Sequence, residues 1–206
     1  AIAVCDASCL ERNLNLVLQI LELCPRTLVC VNLMDEAEKR HIEIDQKILS
    51  QELGVPVVGI SAREKQGLYA LTEAFDKLLC GPGVRPVRPV TYPSPLEAAI
   101  QILEPSVQNS IGSLLPARWL SLRLLENNEN LETALSDYLG YDLKKEPSIR
   151  KAYAEAQEIL RASGLQGDSL QDAVAGSILS RAEEIAGKAV QSDLREAQKT
   201  DRILDR

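Results

Sequence analysis

Val29-Cys-Val-Asn-Leu-Met-Asp35 is the stretch on which the reading of this chain turns. An apolar run rich in β-branched residues stops at Asn32 and Asp35. Further on, a second such run, Val55-Pro-Val-Val-Gly-Ile60, stops at Ser61-Ala-Arg63. Short β-branched runs with abrupt polar ends read as buried strands. Each carries its polar groups at its carboxyl end, and in doubly wound α/β folds the crevice beyond those ends is where ligands bind. The two strands therefore furnish one candidate site with an amide, a carboxylate and a small Ser-Ala turn.

The flanking sequence supplies the rest of such a fold. Ala1-Ile-Ala-Val-Cys5 reads as a strand ending at Asp6. Leu10, Leu14, Val17, Leu18 and Leu21 then repeat at helical spacing, with Asp6 or Ser8 as the cap. A strand over Thr27 to Val31, helix over Glu36 to Lys39 and Ile44 to Leu53, a stop at Gly54, and a third strand over Val55 to Ile60 follow. A helix over Gly67 to Leu79 puts Leu68, Leu71, Phe75 and Leu78 on one face. The order βαβαβα implies a parallel sheet with right-handed crossovers.

Asn32-Leu-Met-Asp35 followed by Ser61-Ala-Arg63 resembles the guanine-reading motifs of GTPases, Asn-Lys-x-Asp and then Ser-Ala-x. The residue types suit that task. A guanine edge presents a ring N–H beside an exocyclic amino group, and one ionised carboxylate, Asp35, accepts both, which adenine cannot satisfy. A buried polar group left unpartnered costs about 1–3 kcal/mol, so such a site discriminates more sharply than an apolar pocket. The resemblance gives Asn32 the ring nitrogen and the tie between loops, the Ala62 backbone N–H the guanine carbonyl, and Leu33 the base plane in place of the usual Lys. The plain alternative is that Asn32 and Asp35 cap the following helix, since both types are favoured there.

The chain has 206 residues, is 45% apolar and carries a net charge of 23 − 30 = −7. That is enough for one large or two small domains. An acidic chain with one Trp, five Tyr and one Phe lacks the electrostatic footprint and stacking platforms of a nucleic-acid binder. No apolar run reaches membrane-spanning length and no signal peptide is present, so the expectation is a soluble, cytosolic chain. Cys5, Cys9, Cys24, Cys30 and Cys80 are odd in number and lack CxxC spacing, which argues against paired disulfides. Cys5 and Cys30 read as small buried hydrophobes. Cys5 and Cys9 lack further ligands for a metal, because His41, a surface helix-end residue by its context, is the only histidine.

Residues 81–95 contain five prolines and two glycines and read as a linker between a domain over 1–80 and a helical domain over 96–206. The linker ends in a helix start with Ser94 as cap, Pro95 at the first position and Glu97 reaching back. Helices are expected over 94–104, 106–112, 116–126, 129–139, 147–162 and 168–198, with Trp119 as a core anchor. Asp137-Tyr-Leu-Gly140 matches a GTPase DxxG, but Gly140 ends a helix and reads as its stop. Gly187-Lys188 lacks the rest of a phosphate loop. Glu129 with Glu132 and Glu155 with Glu158 have the spacing a ferrous ion could use, and equally that of solvated faces.

Beyond these motifs, Asp6-Ala-Ser-Cys-Leu-Glu-Arg-Asn-Leu14, Asn32-Leu-Met-Asp-Glu-Ala37, Leu53-Gly-Val-Pro-Val-Val58, Ile60-Ser-Ala-Arg63 and Thr200-Asp-Arg-Ile-Leu204 resemble the cytosolic region of FeoB-type ferrous iron transporters. The resemblance implies a partial P-loop GTPase domain followed by an all-α, dissociation-inhibitor-like bundle. It also implies GTP and GDP as ligands, Mg2+ in the intact protein, and a membrane-embedded iron-permease region as partner at the cytoplasmic face of the bacterial inner membrane. GxxxxGK[ST], the switch threonine and a strand-borne DxxG are expected ahead of Ala1, so no residue here is assigned to phosphate or Mg2+. The strand at Ala1 to Cys5 should then present an open edge, covered by a neighbouring copy or by further chain. The competing expectation is a helical interaction module with a degenerate, non-hydrolysing nucleotide site.

Overall fold

The computed structural model describes residues 1–80 and 88–192. It divides into two compact units, one formed by Ala1–Pro89 with the chain from Ile178 onward, the other by Val90–Ser177. The expected linker at 81–95 overlaps one point of division; 81–87 lie outside the described residues. The second point of division falls inside the last helix.

In the first unit, β2 (Leu28–Asn32) is the centre of a three-stranded parallel sheet, between β1 (Ile2–Asp6) and β4 (Val57–Gly59). Leu28, Val29, Cys30 and Val31 are all buried, the continuous apolar pattern of a parallel strand covered on both faces. β1 is an edge strand among the described residues, as expected of it; Ile2 and Val4 lie on its exposed face. Asp6 caps a short 3-10 turn, Ala7–Cys9, accepting from the Ser8 N–H at 2.7 Å. Helix α1 (Leu10–Leu23) follows and buries the five expected side chains, each worth about 1.5–3 kcal/mol of transfer free energy.

Two elements of this unit depart from the sequence reading. The expected helix over Ile44 to Leu53 begins later: α2 (Met34–Lys39) leads to a strand, β3 (Ile42–Ile44), and only then to α3 (Gln46–Leu53). Asp45 caps α3, accepting from the Lys47 and Ile48 N–H groups at 2.8 and 2.9 Å. Helix α4 (Leu68–Cys80) forms as expected, but its apolar face buries no residue. Leu68 is exposed, while Leu71, Phe75 and Leu78 are only half-buried. Arg26 donates to the Leu78 and Leu79 carbonyls at 2.7 and 3.2 Å, a cation placed at the negative end of that helix.

The second unit is helical. α5 (Ser94–Ile111) packs on α6 (Ala117–Leu125) and on α8 (Pro147–Ala162) around Leu96, Ile100, Leu103, Leu120, Leu125, Ile149 and Leu160. The expected break at Pro105 does not occur; the proline sits on the exposed side of a continuous α5, where only the bond to the Gln101 carbonyl is forfeited. Ser94 is not the cap. The helix starts there without a side-chain cap, and the Glu97 carboxylate accepts from the Tyr92 N–H at 2.8 Å and pairs with Arg118 at 2.8 Å. Trp119 is half-buried rather than a core anchor. Between α6 and α8, α7 (Glu129–Leu139) ends at Gly140 in the left-handed conformation, φ 79°. Glu132 is taken by Lys144 at 2.6 Å and Glu158 by Arg161 at 2.7 Å.

The last helix, α9 (Asp168–Ala189), stops nine residues short of the expected 198, and the chain turns into a strand, β5 (Val190–Ser192); residues beyond 192 lie outside the described residues. β5 pairs antiparallel with β3, Ile44 opposite Val190 and Ile42 opposite Ser192. The region expected to be wholly helical thus contributes a strand to the first unit. No helix among the described residues is long and apolar enough to cross a membrane.

Candidate functional site

The carboxyl ends of β2 and β4 meet as the sequence implies, and backbone bonds fix them. The Ile60 N–H donates to the Val31 carbonyl at 2.8 Å, and the Met34 N–H donates to the Ile60 carbonyl at 3.1 Å. A helix start leaves its first N–H groups without intrahelical partners. Here they are satisfied from across the crevice, because the Asp35 N–H donates to the Ser61 hydroxyl oxygen at 3.0 Å. The chain enters α2 through Leu33 in the left-handed conformation, φ 65°. For a bulky residue this costs about 1–3 kcal/mol, strain of a kind that gathers at functional sites.

The expected site residues are brought together. Asn32 closes β2, and its Oδ1 accepts from the Ala62 N–H at 3.1 Å, which commits the side-chain oxygen and leaves Nδ2 as the donor edge of the amide. Neither Asn32 nor Asp35 caps α2: Asn32 is spent on the facing loop, and Asp35 lies inside the first turn. The backbone N–H of Ala62, expected to meet a guanine carbonyl, is engaged with Asn32. Ser61 is buried, while Ala62 and Arg63 are exposed.

The Asp35 side chain is only 9% exposed, with Arg63 Nη2 at 3.5 Å and Lys39 Nζ at 3.7 Å from its carboxylate. Both cations are largely exposed and lie closer to Glu36, at 3.2 Å each. Exposed pairs of this kind are worth about 0–1 kcal/mol, whereas a hydrogen bond to a charged group is worth about 1.5–3 kcal/mol. A ligand with two donors can therefore displace them. Burial pushes the Asp35 carboxyl up, but the Ser61 hydroxyl, its own backbone N–H, Lys39 and Arg63 outweigh that, so it lies below the usual carboxylate range. The group is an ionised acceptor at neutral pH.

The turn behind the site is tight. Ser61 and Gln66 exchange backbone bonds of 3.2 Å in both directions. Gly67 follows at φ 74°, where a Cβ would stand 2.5 Å from the Gly59 carbonyl oxygen. Sequence reasoning missed Gln46, whose Oε1 accepts from the Gly59 N–H at 2.8 Å and so holds β4 just before Ile60 and Ser61. Its only local signal is its place directly after the capping Asp45.

Cys5 and Cys30 are buried free thiols, and burial pushes the Cys5 thiol up to about 11, with Cys30 and Cys9 adding to the rise. Among the described residues, no group of three or more His, Cys, Asp or Glu side chains could hold a metal ion. None of the described residues is assigned to Mg2+.

Residues 1–75 match the family described as ferrous iron transport protein B, and residues 92–191 match the FeoB cytosolic helical domain. The Fe(2+) transporter FeoB of Salmonella typhimurium is 36% identical over 146 residues, covering 66% of this chain and 18% of that protein. The Escherichia coli transporter is 39% identical over 127 residues, covering 62% and 16%. The chain thus spans less than a fifth of the length of these relatives. Among solved structures, the cytosolic domain of L. pneumophila FeoB matches with a TM-score of 0.68 at 23% identity, over 93% of this chain and 67% of that one. A GDP-bound mutant of S. thermophilus NFeoB matches with a TM-score of 0.69 at 24% identity, over 91% and 67%. At these identities the structural likeness shows a shared fold.

Proposed function

Because the chain belongs to the FeoB family of ferrous iron transport proteins, we propose that it carries the base-reading part of a guanine-nucleotide site serving a bacterial Fe2+ transporter. Asp35 accepts the ring N–H and exocyclic amino group of guanine, Asn32 offers its Nδ2, and Leu33 covers the base plane. Ser61, Ala62 and Arg63 form the facing wall. The observation that carries this reading is the cross-crevice pair of bonds, Ala62 N–H to Asn32 Oδ1 and Asp35 N–H to Ser61 Oγ. It leaves the Asp35 carboxylate at the crevice instead of spending it on a helix cap.

The same reading gives GTP or GDP as ligand, with Mg2+ and hydrolysis belonging to the intact protein. GTP binding and turnover are coupled to Fe2+ uptake at the cytoplasmic face of the inner membrane. The helical unit acts as a dissociation-inhibitor-like domain toward the membrane-embedded permease region. The sequence contains no GxxxxGK[ST], so the chain tested by itself should respond to the base and little to the phosphates. Titration of the 206-residue chain with guanosine and adenosine monophosphates, followed by amide chemical shifts, tests this. Guanosine monophosphate should move Asp35, Ser61 and Ala62, and adenosine monophosphate should not; equal responses would overturn the assignment.

A further inference from the structure

The polypeptide that leaves the base-reading helix α2 is gripped by the far end of the described chain. β3 follows α2 and pairs with β5 along its whole length, Glu43 opposite Gln191 at its centre. The Asp45 N–H donates to the Ala189 carbonyl at 2.8 Å. Gln46, the next residue, holds the Gly59 N–H at 2.8 Å. Gly59 ends β4, which has no strand beyond it among the described residues, so a side chain here does what a neighbouring strand would do for that N–H. Two residues later comes Ser61, the acceptor for Asp35.

At the other end of α3, Glu52 takes Arg181 and Lys188 of α9 at 2.8 and 3.2 Å, and its backbone carbonyl takes Arg181 as well, at 3.1 Å. The Arg181 side chain is 16% exposed, unlike the surface pairs around Asp35. Burial pushes the Glu52 carboxyl up, and the hydrogen bonds from Arg181 and Lys188 reverse it, holding the group ionised below its ordinary range. α9 and β5 thus fasten both ends of α3, and the Gln46 side chain that α3 sends to the end of β4 orders the crevice.

We propose that the end of α9 and β5 form a strap that sets the affinity of the base-reading crevice, with Gln46 as the positioning residue that passes the strap's hold to β4 and Ser61. The inference rests on the guanine reading for what the crevice binds, but not for the mechanical link. Freeing the strap lets α3 shift, loosens the Gln46 contact at Gly59, and leaves Ser61 and Ala62 less firmly set against Asp35 and Asn32.

The test uses the 206-residue chain without nucleotide, by amide hydrogen exchange. Two disrupting variants are compared, Arg181→Gln with Lys188→Gln, and Gln46→Leu; Gln46→Glu retains an acceptor for the Gly59 N–H. Exchange at Gly59 and Asp35 should rise about two- to tenfold in both disrupting variants. It should return near wild type in Gln46→Glu and stay unchanged at Val29 in the centre of the sheet. Guanosine monophosphate affinity should weaken in parallel. Wild-type exchange at Gly59 and Asp35 in the Arg181/Lys188 variant, an equal rise at Val29, or failure of Gln46→Glu to restore the exchange would each overturn the strap. A wild-type chain that shows no preference for guanine would refute the ligand assignment while the exchange data still decide the strap.

Discussion

Ser61→Ala removes one oxygen from the crevice, and the structure says what that oxygen does. It receives the Asp35 N–H at 3.0 Å in a residue only 2% exposed. The neighbouring donors have partners that the substitution leaves in place: Met34 on the Ile60 carbonyl, Glu36 and Ala37 on the Leu33 carbonyl. The Asp35 N–H loses this partner and keeps only the contact with its own carboxylate; a donor left poorly satisfied costs up to about 1–3 kcal/mol, or up to about a 5- to 150-fold greater population of the locally open state. The Ser61 hydroxyl also helps hold the Asp35 carboxyl below its ordinary range, so the substitution should move that titration upward. Amide exchange at Asp35 and carboxyl-carbon NMR titration of the same residue read the two effects separately. Unchanged exchange together with an unmoved titration would refute the role given to Ser61.

Gly67→Ala should destabilise the first unit by about 1–3 kcal/mol, since the new Cβ would stand 2.5 Å from the Gly59 carbonyl oxygen at φ 74°; a urea midpoint no lower than wild type would contradict this. Glu52 and Glu97 have carboxyls that burial raises and that bonds from Arg181 and Lys188, or from Arg118, bring below the ordinary range. The stability they add is full above the unfolded glutamate value of about 4.3 and is lost as pH falls through the lower folded values. Urea midpoints should therefore drop as pH falls from about 5 toward 3, and a flat profile would argue against the pairs. GTP turnover by the 206-residue chain should be undetectable in a phosphate-release assay, because none of the described residues is assigned to phosphate or Mg2+.

What the sequence shows of this fold depends on how local each cause is. β2 is legible because burial on both faces demands a continuous β-branched run, and Asn32 and Asp35 mark its end without ambiguity. The crevice is legible for the same reason, and the two motifs lead to the family that residues 1–75 and 92–191 match. β3 is not legible. Ile42-Glu-Ile44 is three residues long, and its partner β5 comes from the other end of the described chain. α9 looks helical past Ala189 because nothing in Val190-Gln-Ser192 announces a strand until β3 is there to receive it. Glu97 and Gln46 fail as sequence signals in a similar way. Glu97 looks like half of a capping box but is drawn off by the Tyr92 N–H and Arg118, and Gln46 looks like an ordinary first-turn residue until β4 is folded beside it.

Asp35→Asn asks whether the Asp35 carboxylate reads guanine. The amide replaces an acceptor by a donor, so the guanine amino group loses its partner while the extra carbonyl of xanthine gains one. A lost hydrogen bond to a charged group is worth about 1.5–3 kcal/mol, roughly a ten- to hundredfold change in affinity. Guanosine and xanthosine monophosphates are titrated against both proteins, with circular dichroism to establish that the variant is folded. Guanine affinity should fall by that factor, and xanthine should bind the variant more tightly than the wild type. A folded Asp35→Asn protein with both affinities unchanged would contradict it.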